Sequence, residues 1–267
     1  MDRIIKDINA LGQANDGIYQ INDDKYIYAI NDNSKINVKA GIKAYIIDNT
    51  NNKDIYVNCG KDSSVEYTIL NSSSSKRVFD VYGELIINEI LLEKSNETFT
   101  CNLLGENANV NKKLLAFADK VNQNVIERVN HEVSKTYSDI SNIGISMNGA
   151  NINFDITGYI KKGMPKSNCR QLSKGVVMDN NSSVTAKPIL LIDEYDCFAS
   201  HGASIGKMSD EDLFYLMSRG LTKNEAFFLI LGGIIKPFVD KLPSEELKNS
   251  TLKKINDMIE KWEKWMF

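Results

Sequence analysis

The sequence predicts a mainly β protein with helices confined to its two ends. Across residues 17–206, short runs of β-branched and aromatic residues recur between Asn, Asp, Ser and Gly clusters, which form turns. No convincing helical period interrupts these runs, which argues against alternating strand–helix units. After Lys207 the spacing becomes helical and the boundary signals are good. The chain therefore divides into a leading helix at 1–16, a β core at 17–206 and a helical segment at 207–267.

Ile4, Ile5, Ile8 and Leu11 predict the short leading helix. Strand-like runs follow at 26–30, 35–38, 44–47, 65–70, 78–87, 98–103, 143–160, 176–178 and 189–192, with turn clusters at 48–53 and 71–76. The clearest alternation puts Ile143, Ile145 and Met147, then Ile152, Phe154 and Ile156, on one face. Asn151, Asn153, Asp155 and Thr157 lie opposite, and Gly149 and Ala150 mark a turn between the two halves. No strict repeat is visible, which a solenoid of irregular coils tolerates. Periodicity alone leaves sandwich, barrel and solenoid open.

In the helical segment, Ser209 is placed to cap a helix with Asp210, Glu211 and Asp212 in its first turn, and Gly220 suits its end. Thr222 and Glu225 form a capping-box pattern before an apolar second helix, which Gly232, Gly233 and Pro237 weaken. Pro243 and Ser244 open a third. There Leu247, Leu252, Ile255, Met258, Ile259, Trp262 and Trp265 share one face. Such a stripe reads first as packing on its own domain and second as a docking face.

Composition narrows the function. The 267 residues can bury a real core, and a net charge of −3 gives no footprint for nucleic acid or an anionic membrane. Met1, Asp2 and Arg3 do not open an export signal. The longest apolar run, 227–235, is nine residues, where a membrane span takes about 20. A soluble, cytoplasmic protein is expected. Cys59, Cys101, Cys169 and Cys197 are too scattered to specify a zinc site or a disulfide framework. No phosphate-binding loop and no His-Glu-x-x-His motif is present, so the chain is not expected to be an enzyme, and ATP hydrolysis would need a partner.

Residues 187–226 carry a resemblance. They include Pro188, then Ser200-His201-Gly202-Ala203-Ser204-Ile205-Gly206, and then Leu213-Phe214-Tyr215-Leu216-Met217-Ser218-Arg219-Gly220 with Glu225 and Ala226. This segment is similar to the C-terminal signature of SufB/SufD proteins, and its Ser-His-Gly-Ala form resembles SufD. Val129-Asn130-His131, Thr136-Tyr137-Ser138 and Gln171-Leu172-Ser173 extend the match to about residues 125–240.

The resemblance implies a right-handed parallel β-helix followed by helices. It further implies a non-catalytic scaffold of an iron–sulfur cluster assembly complex of the SufBCD type. Such a chain would pair end to end with a SufB-like paralogue or a second copy, and dock SufC, an ABC-type ATPase. The docking surface would be Leu213, Phe214, Tyr215, Leu216, Arg219 and Glu225. A transient iron–sulfur cluster would sit at the subunit joint, with His201 as one ligand, since imidazole is an acceptable iron ligand.

The chain departs from the pattern in two places. Many members carry a cysteine where this chain has Ala199, and their helical N-terminal region is longer. Cys197 and His201 stand four residues apart, roughly 13 Å on an extended strand, too far to share one metal atom. His131 is read as structural. Two other classes stay open: a β-rich interaction protein without a metal role, and a carbohydrate-active enzyme using Asp193, Glu194 and Asp196. The plain reading of those carboxylates is a solvated strand end.

Overall fold

The computed structural model describes residues 3–13, 17–70 and 74–266, with side chains described through residue 260. Among the described residues two sheets face each other. One has nine strands: β1 (Ile4–Asp7), β3 (Tyr26–Ile30), β5 (Lys43–Asp48), β7 (Ser64–Leu70), β9 (Glu84–Leu91), β11 (Asn109–Asp119), β13 (Tyr137–Met147), β15 (Asn168–Val177) and β17 (Phe198–Lys207). The other has eight: β2 (Ile18–Ile21), β4 (Ser34–Val38), β6 (Asp54–Cys59), β8 (Lys76–Val81), β10 (Ser95–Leu103), β12 (Asn122–His131), β14 (Asn151–Ile160) and β16 (Ser183–Ile192). Consecutive strands always fall in opposite sheets, and all pairing within a sheet is parallel. This is a parallel β-helix of two-strand coils, and the parallel pairing excludes an antiparallel sandwich.

The corners explain the turn residues. Asn52, Asp62, Asn107 and Asn148 adopt positive φ there, as do Lys120, Lys135 and Lys166. Coils also stack closely. A Cβ on Gly83 would lie 2.3 Å from the Ser63 carbonyl oxygen of the coil below, so only glycine fits.

The leading helix does not form as expected. Ile4–Asp7 is a strand paired in parallel with β3, and only Ile8–Leu11 turns, as a 3-10 helix capped by the Asp7 side chain. Isoleucine suits a strand at least as well as a helix, and an open sheet edge decides the matter. Ile8 is turned inward to plug the first coil. Met1, Asp2 and residues 14–16 lie outside the described residues, as do 71–73 of the 71–76 turn cluster.

Two cores result. Inside the solenoid, Ile36, Val57, Phe79, Cys101, Val110, Ile152, Phe154 and Ile156 stack from coil to coil. On the outer face of the nine-stranded sheet, Leu115, Phe117, Ile145 and Met147 pack beneath Phe227, Leu231, Ile235 and Phe238. The row expected on one face is thus shared between two cores, with Ile145 and Met147 outside and Ile152, Phe154 and Ile156 inside.

The covering residues belong to α2 (Lys223–Val239), which follows α1 (Asp210–Ser218) and precedes α3 (Glu245–Met266). The predicted caps are present. Ser209 accepts from the Asp212 N–H, Thr222 and Glu225 close a capping box, and Ser244 accepts from the Leu247 N–H. The Asn88 side chain donates to the Phe238 carbonyl at 3.0 Å and pins the end of α2 to β9. Ile255 and Ile259 of α3 join the same outer core, so its apolar stripe packs on its own domain. Trp262 and Trp265 lie outside the residues whose side chains are described.

Candidate functional site

The last coil is where the molecule is incomplete. β16 and β17 end their sheets, so each presents a row of backbone groups with no further strand beside it. Pro188 in β16 is the sequence sign of this, because proline is tolerated on an edge strand. Apolar side chains are exposed here: Leu191 at 51%, Phe198 at 56% and Ile205 at 43%.

His201 lies on β17 with Gln171 of β15 as its Cα partner, and Ala199 partners Cys169. Parallel register puts partnered side chains on the same face, so Ala199, His201 and Ala203 lie over Cys169, Gln171 and Ser173. With no further coil above it, His201 is exposed. One coil down, the polar groups are buried and unfinished. The Gln171 amide donates to the Ile189 carbonyl at 3.3 Å, while Gln171 Oε1 and Ser173 Oγ have no hydrogen-bond partner among the described residues. Gly158 makes room for this layer, since a Cβ there would lie 2.3 Å from Cys169 Sγ.

Cys169 sits one coil beneath Ala199 as its Cα partner. Burial pushes its pKa up, against a hydrogen bond with Ser138. Ser138 Oγ is 3.0 Å from His131 Nε2, and His131 Nδ1 is 2.7 Å from Thr136 Oγ1. Burial lowers the His131 pKa to about 4. His131 is thus a neutral, internally bonded residue, two strands below the edge strand β16. Cys197 precedes β17 and is half-buried, and Cys59 and Cys101 are in the core. Among the described residues, no three His, Cys, Asp or Glu side chains converge as a metal site.

α1 carries the other candidate surface. None of its residues is buried. Phe214 is 74% exposed and Tyr215 57%, and Arg219 lies over the Tyr215 ring at 5.3 Å. Leu213 and Leu216 are half-buried, and Leu213 packs against the outer core. Glu225 is occupied by its cap, accepting from the Thr222 N–H and hydroxyl at 2.8 Å each. The expected docking set thus separates into outward residues, inward residues and a cap. Met217 of α1 and Leu229 of α2, which fall within the expected docking helices, are also exposed.

The acidic trio does not form an acid–base pair. Tyr159 donates to Asp193, and the Glu194 carboxylate accepts backbone N–H bonds from Gly163, Tyr195 and Asp196, bonds that hold its pKa down. Glu194 builds the loop. Gly202-Ala203-Ser204-Ile205-Gly206 has the spacing of a nucleophile elbow, where the sequence reading counted none, but it runs along strand β17 and not through a strand-to-helix turn. No helix among the described residues is long and apolar enough to cross a membrane.

The geometry agrees with what the chain resembles across its length. It is 40% identical over 105 residues to the iron–sulfur cluster assembly protein SufD of Bacillus subtilis (strain 168), covering 39% of this chain and 24% of that protein. It is 29% identical over 202 residues to an iron–sulfur cluster assembly SufBD family protein of Staphylococcus aureus (strain USA300), covering 69% and 42%. A Staphylococcus epidermidis protein of the same description is 33% identical over 148 residues, covering 54% and 31%. The chain thus spans from about a quarter to two-fifths of the length of these relatives. A family profile described as SUF system FeS cluster assembly, SufBD core domain, matches residues 20–234, from β2 through most of α2, and the chain belongs to that family.

Proposed function

We propose that this chain is a non-catalytic scaffold subunit in iron–sulfur cluster assembly. In this reading it pairs through its last coil with a SufB-like partner or a second copy, and it docks a SufC-like ABC ATPase through α1. The observation that carries the docking role is α1 itself, a helix that buries none of its residues while presenting Phe214 and Tyr215 to solvent. Large exposed aromatics of this kind are anchor residues at interfaces. Pairing is supported by the open edges of β16 and β17 and the exposed Leu191, Phe198 and Ile205.

The cluster is cargo in this reading. His201 offers one imidazole at the joint, and the partner supplies the remaining ligands. The test is co-purification with the ATPase. Phe214→Asp places a charge on an exposed site, so the fold should survive while the ATPase is lost from the complex. Retention of the ATPase at unchanged affinity by a folded Phe214→Asp protein would remove α1 from the docking surface.

A further inference from the structure

The two ends of the solenoid are built differently. At the C-terminal end β16 and β17 run for ten residues each. The inward row of β17 meets no further coil, and His201, Ala203 and Ile205 on it are exposed. From Phe198 to Gly206 this strand carries no Lys, Arg, Asp or Glu.

At the N-terminal end the outermost strands, β1 and β2, are only four residues each. Lys6 is the Cα partner of the core residue Tyr28, so its side chain turns to the inner side of the coil, where Nζ lies 3.4 Å from the centroid of the Tyr26 ring. The 3-10 turn that follows packs against β2 and β3 and puts Ile8 into the core. That turn is tied down. Asp7 accepts from the Asn9 N–H at 2.8 Å, the Tyr19 hydroxyl donates to the Asn9 side chain, and Arg3 Nε donates to the Asp24 carbonyl at 2.8 Å. Tyr19 of β2 already pairs with Ile36 of β4, so the antiparallel bridge from Gln13 takes its free side. A short edge strand, an inward-pointing lysine and a segment laid along the free side are ways in which sheet proteins keep an edge from recruiting another strand. Ile4 and Ile5 stay exposed, so this edge is blunted by charge and geometry and not by burial.

We propose that residues 4–13 are an end cap that blocks the addition of a further coil, so that assembly runs through the β16–β17 end alone and stops at a pair. The pairing half of this rests on the function proposed above. Two unlike open ends would meet head to tail, and each addition would renew a free end, which builds a fibre. With one end capped only like ends can meet, and the assembly closes.

The test is the mass of the full chain against its concentration, by sedimentation velocity. The double variant Lys6→Val, Asp7→Val removes the inward charge and the cap of the turn while deleting no core side chain. The intact protein should level off at no more than two chains, whereas the mass of the double variant should keep rising, to more than about twice the intact value. Adding Ile205→Lys, which charges the opposite end at an exposed position, should return the variant to the intact mass or below. Circular dichroism should show all of them folded. A double variant that never exceeds the intact mass, growth that Ile205→Lys does not stop, or an intact chain that itself grows without limit would each overturn the cap. The pairing reading fails on a separate result, an otherwise intact chain that carries Ile205→Lys and still pairs as before.

Discussion

The middle coils and the last coil differ in what their neighbours supply. In the middle, buried charges are paired with opposite charges from adjacent coils. Arg77, on β8, bonds Asp48 at 2.7 Å and pairs with Glu97, while Tyr67 and Thr50 satisfy the Asp48 oxygens at 2.7 and 2.6 Å. Lys112, on β11, bridges Glu89 at 2.5 Å and Glu127 at 2.7 Å, and Asn142 donates to Glu127. Burial alone would lower the pKa of both cations, but the flanking carboxylates outweigh it and hold them protonated. The last coil buries no such pair and keeps Leu191, Phe198 and Ile205 in water. The difference teaches that a coil between two others can pair its buried charges across both, while an end coil has a neighbour on one side only.

The sharpest way to break this comparison is Arg77→Ala. It strands Asp48 and Glu97 in the core without their cation, and a loss of about 3–5 kcal/mol is expected, read from urea unfolding. A loss under about 1 kcal/mol would show that the network is not closed in solution.

His131 gives the next largest effect. Its folded pKa of about 4 lies below the ordinary value of 6.5, so the unfolded chain takes up the proton first. Its contribution to stability is complete above pH 6.5 and falls as the pH drops from 6.5 to 4, by about 3 kcal/mol in all. His131→Asn should remove that part of the slope. Identical pH dependence in the two proteins would mean that the imidazole is not buried neutral.

At the open end the same chemistry should cost little. Gln171→Met removes a weak 3.3 Å bond and an unmatched carbonyl together, so stability should change by less than about 1 kcal/mol. A loss as large as that of Arg77→Ala would erase the contrast between the two regions. The smallest effect on folding is expected of His201→Ala, whose side chain is exposed. The paired complex should assemble at full yield by size-exclusion chromatography, yet bind clearly less iron and acid-labile sulfide after anaerobic reconstitution. Normal iron and sulfide in an intact complex would reduce His201 to an interface residue.

How much of this was legible depended on whether the signal was local. Caps at Ser209, Thr222 and Ser244 were readable because each is closed by residues three positions on. The run at 26–30 was readable because its apolar content needs no charged partner. β11 and most of β12 and β15 were missed as strands. Their inward rows include Lys112, Glu127 and Gln171, which look solvent-facing until another coil brings a partner. The run at 78–87 was read as one strand, but Gly83 lies at a corner between β8 and β9.

The sequence by itself determined the β core, the helical segment with its caps and the signature around His201, because these rest on side-chain type and short spacing. Only the tertiary structure decided that Ile4–Asp7 is a strand, that Ile145 and Ile152 enter different cores, and that Leu213 faces inward while Phe214 faces out. Those outcomes depend on which coil or helix lies alongside, and a free sheet edge, a covering helix or a neighbouring charge contributes more free energy than the local preference it overrides.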